Sequence, residues 1–386
     1  MLRLLIIVLL TVASHVLRAQ RIATAAVPGP QTTLLWRGGE GGYDTYRIPG
    51  IVAGSDSTVL AYAVGRVHLA DGDWSDSDVL LRRSTDGGKH WSASQRVAGD
   101  GHGVTDNPVA IASANKGVVH LLYQHDYATL HYMRSGDDGA HFSQPVDITA
   151  AVAGLRESYP WTVVALGPGH AIETRAGRLL VPVWLAAGKN TGNGRRQHAP
   201  SAITTIYSDD SGKTWIHGAI IASDSPAMHN PNEFQLVQRS DGTIMANIRA
   251  GDPALRRAVA SSPDGISGWS KPVFDATLFD PICAAGITRY DAHTLLFTNP
   301  DSEALPLLAN GTRGSRHELT IRLSSDDGTT WPIQKLLTPG PVGYSDVAVE
   351  PGKRIHDIFE GPASTGSKGL SIFVSVFGLD WLTSRS

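Results

Sequence analysis

Cysteine is nearly missing from this chain: among 386 residues there is one, Cys283. No internal disulfide can form, so stability has to come from a packed core. Cys283 sits in the apolar stretch DPICAAGITRY (280–290) and is expected to be buried. Charge of one sign is missing as well. Lys and Arg total 33 against 36 Asp and Glu, a formal net charge of −3. That balance gives no global basic field for nucleic acid or an anionic membrane, so neither is expected as a partner. An anionic ligand would have to be held by a local cluster of arginines. Amphipathic helical periodicity is almost absent. His170 and His198 have no neighbour at metal-ligand spacing and read as structural or pocket-lining, and no metal is expected.

Long apolar runs are confined to the N-terminus, MLRLLIIVLLTVASHVLRAQ. Arg3 precedes the run Leu4 to Ala13, which is too short to span a bilayer and is patterned like the core of a signal peptide. Residues 1–26 are therefore expected to be a signal peptide cleaved within 19–26, with an uncleaved anchor as the competing reading. The mature protein is expected to be secreted or periplasmic, with no membrane span.

What the chain has in quantity is glycine (41), proline (22) and short β runs. These include TVLAYAV (58–64), DVLLRRS (78–84), GVVHLLYQ (117–124), RLLVPVWLA (178–186), TIMANIR (243–249), HTLLFTN (293–299), ELTIRLSS (318–325) and LSIFVSVFG (370–378). Short strands at regular intervals between turn signals predict an all-β fold.

One phrase recurs: STDGGKHW (84–91), SGDDGAHF (135–142), SDDSGKTW (208–215) and SSDDGTTW (324–331), with a degenerate copy, SPDGISGW, at 262–269. A unit repeating at this spacing marks a repeat architecture. Asp and Gly in a polar stretch are turn chemistry. The carboxylate accepts backbone N–H groups, and glycine takes the conformation other residues avoid. Each phrase is predicted to be a hairpin turn pinned by its terminal aromatic. About 360 mature residues at about 60 per unit give a six-bladed β-propeller of four-stranded antiparallel blades. The phrase is then structural, and the chemistry lies elsewhere, where loops from several blades converge.

YRIPG (46–50) together with these boxes resembles the exo-α-sialidase (neuraminidase) family of glycoside hydrolases. The resemblance runs in order over roughly 36–362. It includes GDWSDSDVLLRRSTDGGKHW (72–91), GPGHAI (167–172), PNEFQLVQRSDGTIMANIR (231–249), RHELTIRLSSDDGTTW (316–331), GYSDVAV (343–349) and HDIFEG (356–361). It implies one catalytic propeller domain over 31–386. It also implies an arginine triad, Arg47, Arg249 and Arg316, clamping a sialic-acid carboxylate. Tyr344 matches the nucleophile, Glu233 the glutamate that activates it, and Glu360 the glutamate that holds the first arginine. Asp73 matches the acid/base, with Asp71 as runner-up because the loop length varies.

The chemistry is coherent. The anomeric carbon of sialic acid carries a carboxylate, which would repel a carboxylate nucleophile; a neutral tyrosine avoids the clash. Tyrosine needs a base within reach, and Asp73 can protonate the departing oxygen if burial raises its pKa. No organic cofactor is needed. Several blander readings stand beside this one. Asp71, Asp73, Asp76 and Asp78 make a solvated or Ca²⁺-binding loop conceivable. Asn107 and Pro108, in TDNPVA, match a family loop near the mouth, for which the resemblance implies no step. Trp161 and Trp184 are core residues, or one of them lines the pocket for an N-acyl or glycerol group. GPGHAIETRAG departs from the family's usual stretch, which leaves acyl preference open. The expected activity is retaining release of terminal α-linked sialic acid from glycoproteins, glycolipids or oligosaccharides, by a monomer. The alternatives are a non-catalytic sialoglycan-binding propeller, or the same mechanism on another nonulosonic acid or as a trans-sialidase.

Overall fold

The computed structural model describes residues 27–251, 255–306, 315–363 and 369–384. The segment read as a signal peptide, 1–26, lies outside the described residues. Among the described residues no helix is long and apolar enough to cross a membrane.

The strands form six small antiparallel sheets in chain order, the blades of a six-bladed propeller. Blade I is built from Thr45–Ala53, Val59–Arg66, Ser77–Ser84 and Gln95–Ala98. Blade II is Thr105–Ala112, Val119–His125, Thr129–Ser135 and Val146–Asp147, with the two-residue strand Gly169–His170 parallel to its first strand. Blade III uses Val163–Leu166, Leu179–Ala186, Ser201–Ser208 and Ile216–His217. Blade IV uses Phe234–Gln238, Ile244–Ile248, Arg256–Ser262 and Val273–Phe279. Blade V uses Gly286–Arg289, Leu295–Pro300, His317–Ser324 and Ile333–Pro341. Blade VI takes its inner three strands, Ser345–Val349, Ile355–Gly361 and Ser371–Phe377, from the C-terminal part of the chain. Its outer strand, Gln31–Trp36, comes from the start of the described chain.

The second and third strands are continuous apolar runs because they are packed on both faces. Val59–Arg66 and Leu179–Ala186 are buried along their whole length. Between blades I and II, Leu60, Tyr62, Leu81, Leu121 and Met133 interdigitate; between blades I and VI, Ile51, Ala61, Ile358 and Val374 do so. The core is thus a ring of inter-blade layers with no single centre.

Each box joins the third strand of a blade to its fourth. In the four full copies the Ser hydroxyl accepts the backbone N–H of Gly88, Gly139, Gly212 or Gly328 at 2.8–2.9 Å. The Asp carboxylate accepts the N–H four residues on, from His90, His141, Thr214 or Thr330, at 2.9–3.0 Å. In the degenerate copy Asp264 accepts Ser267 N–H at 2.8 Å, one residue earlier, because its Gly also comes one residue earlier. Trp215, Trp269 and Trp331 pack into or against the clusters of their own blades, and Phe142 does the same at the copy that ends in phenylalanine. Five boxes serve six blades for a topological reason. The fourth strand of blade VI arrives from the other end of the described chain, so that blade has no third-to-fourth hairpin to close.

Strand alternation fixes the two faces. The start of a first strand, the end of a second and the start of a third lie at one face, and the boxes at the end of each third strand lie at the other.

Candidate active site

The seven residues matched to site roles, Arg47, Asp73, Glu233, Arg249, Arg316, Tyr344 and Glu360, lie at the face opposite the boxes. Arg47 is near the start of the first strand of blade I, Glu233 directly precedes that of blade IV, and Tyr344 that of blade VI. Arg249 follows the second strand of blade IV, and Glu360 is near the end of the second strand of blade VI. Arg316 precedes the third strand of blade V, and Asp73 lies between the second and third strands of blade I. These seven residues come from four blades and meet at one mouth.

A local distortion aims Arg47. In YRIPG the pairing of the first two strands of blade I slips between Arg47 and Gly50, and Ile48 has φ 55°. A positive φ at a β-branched residue is strained and needs support. The support is Glu360, whose Oε1 accepts the Ile48 N–H at 2.8 Å and Arg47 Nε at 2.7 Å. Bulges of this kind re-aim side chains at strand ends. Blade II repeats the device in TDNPV. The pairing slips between Asp106 and Val109, and Asn107 has φ 51° before Pro108. That bulge places Asp106 at the mouth, and Asn107 donates to Leu166 O at 3.0 Å.

Glu360 also accepts the backbone N–H of Tyr344 on Oε2 at 3.0 Å. The approach is so close that a Cβ at Gly343 would lie 2.1 Å from that oxygen, so only glycine fits there. Glu360 thereby fixes both Arg47 and the backbone that carries Tyr344.

Tyr344 is buried, and its hydroxyl donates to Glu233 Oε1 at 2.8 Å. The same hydroxyl accepts from Arg249 Nη1 at 2.7 Å, and that nitrogen also pairs with Glu233 Oε2. The guanidinium carbons of Arg47, Arg316 and Arg249 lie 5.2, 5.3 and 5.8 Å from the centre of the Tyr344 ring. Burial pushes the Tyr344 phenol well above its usual pKa and Glu233 adds to that, while the three arginines oppose it. The resting phenol is neutral. Arg47 pairs with Glu360 and Arg249 with Glu233. Arg316 donates to Ile282 O at 2.6 Å and pairs with no carboxylate among the described residues. Among the described residues, these three guanidinium groups pair with two carboxylates, which leaves one positive charge in excess.

Asp73 sits across the mouth. Its Oδ1 accepts from Arg66 Nη1 at 2.8 Å, and Arg66 Nη2 reaches the fully buried Asp106 at 2.9 Å. His198 Nδ1 lies 3.9 Å from Asp73 Oδ2. The sequence expectation that burial lifts the pKa of Asp73 is corrected here. Burial does push it up, but Arg66, Arg47 and His198 together outweigh burial and hold the carboxyl below its usual range. Asp71 is tied elsewhere, to Arg195 at 2.6 Å. Asp76 accepts Gly103 N–H, and Asp78 accepts Tyr43 OH and Gly101 N–H. No two carboxylates of this stretch thus share one of these partners.

The wall beside Asp73 is aromatic. Tyr127 lies 4.5 Å from His198 and 5.1 Å from Trp74, and Trp184 lies 5.2 Å from His198. His198 and Trp184 therefore line the site's flank. Trp161 is in the core between blades II and III, and His170 is held on the axis by Asp346 at 2.7 Å. Cys283 is buried against Ile48 and Tyr344. Sequence reasoning missed Arg66, Asp106 and Tyr127. Arg66 had a legible signal: it ends the apolar run AYAVGR much as Arg249 ends TIMANIR.

Residues 70–356 match the family model described as a BNR repeat-like domain. The chain belongs to that family. A sialidase of Micromonospora viridifaciens is 29% identical over 94% of this chain, and this chain spans 57% of that protein's length. An exo-alpha-sialidase of Aspergillus fumigatus is 24% identical, covering 88% of this chain and 86% of its own length. Among solved structures, the Hadza microbial sialidase Hz136 superposes with a TM-score of 0.75 at 23% identity, over 91% of this chain and 69% of its own. The intramolecular trans-sialidase from Ruminococcus gnavus gives a TM-score of 0.70 at 15% identity, over 92% of this chain and 99% of its own. At these identities the structural likeness is one of fold. BNR-repeat propellers and sialidases are thus the proteins this chain is similar to.

Proposed function

We propose that this protein is a retaining exo-α-sialidase that releases terminal α-linked sialic acid from glycoproteins, glycolipids or oligosaccharides through a tyrosyl-enzyme intermediate. The observation that carries this reading is the Tyr344 hydroxyl, hydrogen-bonded to Glu233 and Arg249 under three guanidinium groups with one positive charge in excess. That excess suits a substrate carboxylate, which a guanidinium fork binds in a bidentate, charge-assisted way.

In the first step Tyr344 Oη attacks the anomeric carbon and its proton passes to Glu233. The glycosidic C–O bond breaks as Asp73 protonates the departing oxygen. In the second step Asp73 takes a proton from water, the water oxygen replaces Tyr344 on the opposite side, and Glu233 returns the proton to the phenol. Two inversions give retention. The arginines hold the carboxylate throughout and oppose the charge that collects on Tyr344 Oη. Because all the residues invoked come from one chain, a monomer is sufficient. The sialylated glycans it would act on fit a secreted or periplasmic enzyme.

Since Arg66 holds Asp73 as a carboxylate in the resting enzyme, its protonated fraction at neutral pH is small. Turnover of natural glycans, which need the proton, is expected to fall as pH rises from about 4 to 7 more steeply than turnover of an aryl sialoside, which does not. The test measures release of a fluorogenic aryl group from its α-N-acetylneuraminide by native protein, Tyr344→Phe and Asp73→Ala. Tyr344→Phe should lose nearly all turnover. Asp73→Ala should lose far more on a sialylated oligosaccharide than on the aryl substrate, by a factor of about 10² to 10⁴. No turnover by the folded native chain would sink the reading for this sugar. Binding without turnover would favour a glycan-binding propeller.

A further inference from the structure

Asp73 is carried by a short 3₁₀ segment, Leu69–Trp74, none of whose residues is buried and whose N-cap, His68, makes no side-chain cap; the Ser75 hydroxyl at the other end accepts the His68 N–H at 2.9 Å. Gly72, between Asp71 and Asp73, has φ 58° and ψ −128°, a break in the helix that lets the two carboxylates face different directions. Apart from Trp74, which packs against Tyr127 and the apolar cluster between blades III and IV, the segment is held by polar ties. Leu69 N–H reaches Asp44 at 3.1 Å, Asp73 meets Arg66, and Asp71 meets Arg195 at 2.6 Å.

The third tie comes from an unexpected place. Arg195 stands on a small hairpin, Asn190–Gly192 paired with Arg195–Arg196, inserted between the second and third strands of blade III. Its tip is exposed. The next residue, Arg196, lies 5.8 Å over the ring of Trp74 and donates to Asp126 O at 2.8 Å. Two adjacent arginines of blade III therefore grip two residues of the blade I segment, Asp71 and Trp74, on either side of Asp73. Asp71 and Arg195 are both more than a third exposed. Such a pair adds little to global stability, so its effect is local, on where the segment sits.

The geometry points to a clasp. The Asp71–Arg195 ion pair, with Arg196 on Trp74, holds the Leu69–Trp74 segment so that Asp73 meets the leaving oxygen. Arg195 and Asp71 are positioning residues: they touch neither the reacting carbon nor Tyr344. This rests on the reading of Asp73 as the acid. Proton transfer needs hydrogen-bond reach between acid and leaving oxygen, and a small displacement of the acid lowers the rate steeply. Loosening the clasp should therefore impair substrates in proportion to their need for a proton.

The experiment compares the native protein with Arg195→Ala, Arg195→Lys and the charge-exchanged Asp71→Arg/Arg195→Asp pair, on sialyllactose and on an aryl sialoside. Arg195→Ala should lose about tenfold in kcat on sialyllactose and about twofold or less on the aryl substrate, a discrimination set by the leaving group. Arg195→Lys and the exchanged pair should recover part of the loss. Because the pair is exposed, 1 M NaCl should lower the native sialyllactose-to-aryl ratio in the same direction. Equal losses on both substrates, or no loss on either, would overturn the clasp. Hydrogen exchange of the 69–74 amides supplies a readout independent of turnover: it should quicken in Arg195→Ala, and unchanged exchange would overturn the clasp. Asp73→Ala separates the two ideas. If it shows no leaving-group dependence, the acid assignment fails; if it does and Arg195→Ala does not, only the clasp fails.

Discussion

Glu360 has no exposed surface, and its two oxygens accept from Arg47, Ile48 N–H and Tyr344 N–H. One buried charge therefore sets an arginine, a strained backbone turn and the strand start that carries Tyr344. Glu360→Gln keeps the shape but replaces one acceptor oxygen with a donor that faces the Tyr344 or Ile48 N–H. It also leaves Arg47 without its counter-charge. The expected cost is about 2 kcal/mol of unfolding free energy, since a bond to a charged group is lost and a buried amide is left unsatisfied. Denaturant titration measures it. On the proposed reading KM also rises, because Arg47 no longer points at the substrate carboxylate. Neither effect follows from HDIFEG read in isolation; the resemblance implied only that Glu360 holds Arg47, and the bonds to Ile48 N–H and Tyr344 N–H depend on the fold.

At the scale of elements, each β run read from the sequence is the second or third strand of a blade. RLLVPVWLA (178–186) is found as Leu179–Ala186, and DVLLRRS (78–84) as part of Ser77–Ser84. Such strands are packed on both faces and so read as unbroken apolar runs. The outer strands escaped notice. Only Ala98 of Gln95–Ala98 and no residue of Ile333–Pro341 is buried, and their sequences carry little apolar pattern. The boxes were legible because turn chemistry is local. Their role is tested by Ser208→Ala. Ser208 is buried, accepts the N–H groups of Gly212 and Asp210, and donates to Asp210. Its loss should cost about 1–2 kcal/mol in stability. kcat/KM should be unchanged, because the box lies on the face away from Tyr344; a large loss of activity in the folded variant would contradict that separation.

The whole molecule is a ring closed by pairing Gln31–Trp36 with Ser371–Phe377, and its inter-blade layers trap titratable groups. Burial pushes His120 and His356 down to about 4. Arg134 adds to the push on His120 and Arg354 to that on His356, while Glu173 and Glu350 oppose them. The ordinary value is about 6.5, so between about 6.5 and 4 the unfolded chain binds protons the folded one refuses. Each histidine then removes stability as pH falls through that window, by roughly 3 kcal/mol at its lower end. Asp357, buried and pushed up, acts in the opposite sense, so the decisive quantity is a difference between proteins. The unfolding free energy of native protein relative to His356→Gln should fall by about that amount from pH 7 to pH 4; a pH-independent difference would refute it. The sequence by itself determined the all-β class, the blade count and the boxes, because strand patterning and turn chemistry act over a few residues. It also marked, by resemblance, the seven residues that the fold brings to one mouth. Only the tertiary structure decided that Arg66 holds Asp73 ionised, that Asp71 belongs to Arg195, and that blade VI is closed by the strand Gln31–Trp36. Those outcomes depend on side chains dozens to hundreds of residues apart in the chain, or on which of several neighbouring carboxylates a cation reaches, and distance in space is fixed by how the blades pack.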